Sequence, residues 1–143
     1  MKKKTITAEE CQSLLADACW ELLRTLPFLG HLLGALDRVI DHTSATAAVG
    51  PGHDGHPVLY VNPEFFVQKL KKTSQRVGVL EHELLHIAFG HLLLDTTLMP
   101  DARRRNIAAD LVVNQYVTNP LPRGVLHPKQ FAGMPLDGTC EQY

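Results

Sequence analysis

Apolar residues at Cys11, Leu14, Leu15, Ala18, Leu22 and Leu26 recur three and four positions apart, the spacing of one helix face. Thr7 with Glu10 fits a capping box at the start of that helix, and Pro27 ends it. Across residues 28–40, Leu32, Leu33, Leu36 and Val39 predict a second, shorter helix turned inward. Two short apolar stretches, 45–49 and 58–61, flank the turn-rich Gly50-Pro51-Gly52-His53-Asp54-Gly55-His56-Pro57 and predict a β-hairpin. Asn62-Pro63-Glu64 combines a cap, a proline at the first helical position and an acid in the first turn. The helix it starts ends near Lys69, Lys71 and Lys72, cations suited to the carboxyl end of the dipole.

The next helix, 75–94, is apolar nearly all round and is therefore expected in the core. After a loop with Pro100, a further apolar helix is predicted over 103–118, stopped by Pro120 and Pro122. Pro128, Gly133, Pro135 and Gly138 keep the remainder irregular. There is no internal repeat. The pattern describes a mainly α-helical α+β fold in one domain spanning 1–143. Thr139 and Gln142 fit another capping box with no following helix to cap. The expectation is a natural chain continuing past Tyr143.

Composition narrows the function classes. The 143 residues carry 14 lysines and arginines against 15 acids, a net charge of −1. That balance argues against general binding to nucleic acid or to a membrane surface, both of which rely on excess positive charge. No apolar run approaches the ~20 residues of a membrane span. The basic Met1-Lys2-Lys3-Lys4 leads into polar and acidic residues rather than a signal-peptide core. Three cysteines cannot all pair within the chain, which favours a reducing, cytoplasmic setting. Eight histidines are the one oddity.

Three of the ionisable groups interrupt the long apolar helix as His82-Glu83-Leu84-Leu85-His86, an HExxH motif. At about 100° per residue, His82, Glu83 and His86 fall within one third of the helix circumference. Two imidazoles one turn apart can chelate a zinc ion from one face. The intervening Glu83 sits beside the metal, free to act as general base on metal-bound water. Burying two imidazoles and a carboxylate among Val77, Val79, Leu80, Ile87 and Phe89 is costly unless a metal pairs with them. The bland alternative is a set of core histidines hydrogen-bonded to backbone or side chains.

Catalytic zinc takes a third protein ligand and keeps one position open. Asp110 is the leading candidate. Asn106, Asp110 and Asn114 form one polar stripe at four-residue intervals on the otherwise apolar following helix. There Asn106 and Asn114 would orient Asp110 or a histidine. His91 is the alternative third ligand, but on a straight helix it lies about 140° from His86, so the helix would have to break at Gly90. Gly90 could instead admit a close-packed segment. If both Asp110 and His91 bind, the site is closed and structural. Weaker readings are an oxyanion contact from His127 or Tyr116, a substrate-pairing edge strand at 58–61, and a solvated helix start at Arg103-Arg104-Arg105. His53 and His56 read as a solvated turn.

The ordered series Leu26-Pro27-Phe28, His53-Asp54-Gly55, Tyr60-Val61-Asn62-Pro63-Glu64-Phe65, His82-Glu83-Leu84-Leu85-His86 with His91, Asn106-Ile107-Ala108-Ala109-Asp110 with Asn114, and Leu121-Pro122-Arg123-Gly124 resembles the bacterial and phage putative metallopeptidase domain. Members of that family commonly precede a von Willebrand factor A-like domain. The resemblance implies a zincin-like core and marks His82, Glu83, His86, His91, Asp110 and Asn114 as motif positions. It also implies a peptide or protein substrate and a von Willebrand A-like partner domain after Tyr143. The rival class is a non-catalytic interaction module in which zinc joins two buried helices. A nuclease-like hydrolase is a third, disfavoured by the weak basic character.

Overall fold

The computed structural model describes residues 5–94, 96–122 and 124–143; the basic start Met1–Lys4, Asp95 and the Arg123 of the last motif lie outside them. Helix α1, Ala8–Thr25, begins as its sequence requires, with Thr7 Oγ1 accepting the Glu10 amide at 3.1 Å. It buries Cys11, Leu15, Ala18 and Leu22. After Pro27 the chain forms α2, Pro27–Ala35, which stops five residues short of the expected end. Leu36 is extended, and Asp37–Ile40 forms strand β1. The β-branched Val39 and Ile40 suit a pleated edge better than a helix, and Val39 is exposed rather than turned inward.

The hairpin is present. Strand β2, Ala47–Pro51, pairs antiparallel with β3, Pro57–Val61, while β1 pairs parallel with the other side of β3. The order is therefore β1-β3-β2. Residues 58–61 consequently sit in the central strand with both edges paired, so they cannot accept a substrate strand; the edges are β1 and β2, and β2 is the one that packs on α3. Asn62 Oδ1 caps the next helical stretch through the Phe65 amide at 3.0 Å, and that stretch, Glu64–Lys69, winds as a π-helix. The carbonyls of its Phe66 and Val67 and of the capping Leu70 accept from the buried Arg76 guanidinium.

Helix α3, Thr73–Ala88, buries Val77, Val79, Leu80 and Leu84 against α1, α2 and the sheet. It ends where Gly90 turns left-handed at φ 71°, a conformation glycine adopts without steric cost. Helix α4, Ala102–Val113, starts on the Asp101 side chain, which accepts the Arg104 amide at 3.1 Å. It stops at Val113, with Asn114 as its cap, five residues before the expected end. Its Ala108, Ala109 and Val112 form a smaller apolar cluster with Cys140, Leu94, Met99 and Tyr143. The fold is α+β with a small three-stranded sheet. Among the described residues no helix is long and apolar enough to cross a membrane.

The segment after α4 is pinned to α3 at two points one turn apart. At Gly78 any Cβ would come within 2.0 Å of the Pro120 carbonyl oxygen, so this glycine provides the close approach that Gly90 does not. Among the described residues, nothing lies within 4 Å of a Cβ at Gly90. At Glu81, 2% exposed, the carboxylate accepts from the amides of Thr118 and Asn119 and from both their side chains, at 2.8–3.1 Å. These contacts fix the end of α4 against the HExxH helix.

Candidate metal centre

α3 and α4 bring His82, His86 and Asp110 to one point. Asp110 Oδ1 lies 3.4 Å from His82 Nε2 and 3.0 Å from His86 Nε2, and the two Nε2 atoms are 3.1 Å apart. Among the described residues this is the group of three whose ligand atoms could hold one metal ion. With zinc–nitrogen distances near 2.0–2.1 Å, the edge of a tetrahedral ligand shell is about 3.3 Å. The three measured separations fit one face of such a shell.

The proton positions point the same way. His82 Nδ1 faces Asn114 Oδ1 at 2.7 Å, and Asn114 Nδ2 donates to the Leu126 carbonyl at 2.6 Å. That second bond sets the amide orientation, so Asn114 Oδ1 is an acceptor and His82 Nδ1 carries the proton. The lone pair of neutral His82 then lies on Nε2, beside Asp110 and the other imidazole. With both imidazoles neutral and Nε2 free, these lone pairs converge on one point, which suits a metal ion; without one, Nε2 protons donate to Asp110 instead.

The same residues belong to a longer pattern: the model of the putative metallopeptidase domain family matches residues 10–135. The chain belongs to the putative metallopeptidase domain family. No curated protein and no solved structure matches it.

In this member of the family, Glu83 stands beside the cluster. Its Oε1 is 3.8 Å from His82 Nε2, and its Oε2 accepts the Val49 amide of β2 at 3.2 Å. Burial raises its carboxyl above the ordinary range, against the pull of His82 and His86. Burial also opposes the charge of Asp110, but its bonds to His82 and His86 outweigh that and hold it well below the usual carboxylate range. For His82 burial works against protonation, yet Asp110, Glu83 and Asn114 prevail and raise it.

A cavity of about 430 Å³ opens over the cluster. Its walls include His82, Glu83, His86 and Asp110 together with Thr46, Ala48 and Val49 of the β2 edge region, Asn106 and Arg105. The Asp110 side chain is 42% exposed, compared with 14% and 13% for the two histidines, so the cluster is reached from Asp110's side. A smaller neighbouring cavity of about 210 Å³ shares His82 and Glu83 and is walled by Phe65, Val79, Leu121, Pro122 and Val125.

The helix does break at Gly90, but His91 turns to the far side of His86, with Nδ1 2.9 Å from His86 Nδ1. Burial and the adjacent His86 push His91 down to about 4. Asn106 lines the cavity and is exposed, with no hydrogen bond to Asp110 among the described residues. Tyr116 packs on Phe89 at 5.3 Å between ring centroids and reaches Asp137, while His127 accepts the Lys129 amide; neither lines the cavity over the cluster. His56 pairs with Asp54 on the exposed turn.

Two groups escaped the sequence reading. Arg105 is half-buried on the cavity wall and anchored to the Met99 carbonyl, whereas Arg103 and Arg104 are exposed as expected. Its position gave no signal: five residues before Asp110 is about 140° round the helix, and only the tertiary fold brings this long side chain to the cavity wall. Cys140, buried and 3.4 Å from His91 Nε2, carried no local signal at all.

Proposed function

We propose that the domain is a zinc-dependent peptidase in which His82, His86 and Asp110 hold the metal and Glu83 is the general base. The observation that carries this reading is the face of three ligand atoms at 3.0–3.4 Å with a raised carboxylate 3.8 Å to one side. Zinc bound there would lower the pKa of a coordinated water to ~7 and polarise a substrate carbonyl. Glu83 takes the proton of the attacking water at Oε1 and passes it to the leaving nitrogen. Its elevated pKa brings it closer to neutrality, where a base that must also act as an acid works best. The Val49 amide holds Oε2 in place meanwhile.

Asn114 keeps His82 in the tautomer whose Nε2 faces the metal. The outward edge of β2 borders the cavity, and an extended peptide laid there by strand addition would pass the cluster. Sheet, HExxH helix and third-ligand helix together are the parts of a zincin-like core. The closed, structural alternative needs a fourth protein ligand, and His91, its candidate, faces His86 Nδ1 instead. The cell compartment proposed is the cytoplasm. The protein substrate and a von Willebrand A-like neighbour follow from the family resemblance.

The test joins metal content to turnover. Elemental analysis should find about one zinc per chain, lost on Asp110→Ala. Cleavage of a mixed peptide library should then vanish in Glu83→Gln with zinc retained. A zinc-free, folded wild-type protein, or unchanged cleavage by Glu83→Gln, would overturn the reading.

A further inference from the structure

His86 differs from His82 in what holds its outer nitrogen. A metal-ligating imidazole usually gives its second N–H to a carboxylate, a carbonyl or water. For His86 that place is taken by another imidazole, His91, at 2.9 Å between the two Nδ1 atoms. If His86 Nε2 faces the metal, His86 Nδ1 bears the proton and His91 Nδ1 must be the acceptor. The tautomer of neutral His91 is then set: its proton lies on Nε2, 3.4 Å from Cys140 Sγ. The chain of contacts runs from the metal face through two imidazoles to a thiol.

That thiol is held from outside α3. Cys140 is 4% exposed and packs on Ala108, Ala109 and Val112, the face of α4 next to Asp110. The segment carrying it is clipped to the end of α4. Gln115 Nε2 donates to Tyr143 Oη at 3.0 Å, and Gln115 Oε1 accepts the Asp137 amide at 2.8 Å. Tyr143 Oη in turn donates to the Pro135 carbonyl and accepts the Gly138 amide. The Thr139–Gln142 capping box is realised here, closing a single 3₁₀ turn at Cys140–Gln142. Residues 135–143 thus form a small folded clip whose inward contact is the sulfur on His91.

We propose that His91 is the positioning residue for His86, and that Cys140 holds His91 in place, so that affinity for the metal depends on the clip at residues 135–143. This rests on the metal centre proposed above, not on its catalytic use. His91 is then no ligand. It fixes the ring plane and tautomer of one, as Asn114 does for His82.

Zinc affinity measured by competition with a chromophoric chelator tests this in the full chain. His91→Ala should weaken binding roughly 10–100-fold, with the melting temperature of the metal-free protein little changed. His91→Gln, which keeps an acceptor oxygen for His86, should recover most of the loss. Cys140→Ala should weaken binding several-fold and Cys140→Ser less. The His91→Ala, Cys140→Ala double variant should be no weaker than His91→Ala alone, since Cys140 acts through His91. Equal affinity in His91→Ala and wild type would overturn the proposal while leaving the metal centre standing. X-ray absorption showing three imidazoles on wild-type zinc would overturn it too, by making His91 a ligand. Additive losses in the double variant would remove Cys140 from the relay, and absence of zinc from every variant would defeat both readings together.

Discussion

Asn114 Oδ1 receives the Nδ1 proton of His82 at 2.7 Å, while its own amide nitrogen is committed to the Leu126 carbonyl at 2.6 Å. One side chain at the end of α4 therefore determines which nitrogen of a residue on α3 faces the candidate metal. Asn114→Ala should reduce zinc affinity by about 10–100-fold. Chelator competition would show it, and an unchanged affinity would mean that His82 keeps its tautomer without this partner.

Glu83→Gln should lower kcat on any cleaved peptide by about 10²–10⁴-fold, the usual worth of a general base, with zinc content unaltered. In the metal-free protein the Glu83 carboxyl should titrate above the normal glutamate value of 4.5, because burial raises it, which carboxyl NMR shifts of chelated protein over a pH series would show. The sign for stability is opposite. A carboxyl whose folded pKa is raised contributes destabilisation once pH exceeds its unfolded value, so Glu83→Gln should leave the metal-free fold at neutral pH as stable or more so. Thermal melts of the chelated protein check this.

The metal-free protein should show a stability optimum bounded by the cluster's own titrations. Asp110 is lowered, so its contribution is present above 3.8 and lost as pH falls from there through its folded value. His82 is raised, so its contribution is complete below 6.5 and lost as pH rises through its folded value. Urea midpoints of chelated protein should therefore fall on both sides of that window, and Asp110→Asn should flatten both limbs. Zinc, which competes with protons for the imidazoles, should shift the optimum upward.

Glu81, two residues before Glu83, is a structural carboxylate that holds the segment after α4. Glu81→Ala would strand two backbone amides and two side chains in a buried site, at a cost of about 3 kcal/mol or more. Gly78→Ala would drive a methyl into the Pro120 carbonyl, an overpacking penalty of about 1–3 kcal/mol. Urea denaturation measures both. Because the two positions pin the same segment, their effects should not add.

Much of this organisation was legible in residue spacing. The Thr7 cap, the hairpin, the Asn62 cap and the buried α3 all follow from local chemistry, and local chemistry is what sequence periodicity reports. The convergence of Asp110 on His82 and His86 was readable for a related reason: a lone carboxylate on an apolar helix needs a partner, and α3 offered two. The third strand was not legible, since Leu36, Val39 and Ile40 continue a helical period and only pairing with β3 decides otherwise. The same holds for the central place of β3, a property of the sheet rather than of its own residues. Arg105 and Cys140 reach the site region through tertiary approach alone. Gly90 was half-legible: its position suggested a break, but nothing local said that His91 would then meet Cys140, 49 residues away, at 3.4 Å.

The amide of Val49 has two claimants. Thr46 and Gly52 use their backbone groups on the β3 side, so by alternation Ala47 and Val49 point outward along the free edge. Pro51, also outward, has no N–H to offer. Of the outward amides, that of Val49 already serves Glu83. A guest strand lying along β2 must therefore either leave that rung empty or take it and release the carboxylate. In the second case, arrival of the guest and release of the Glu83 carboxylate are one event.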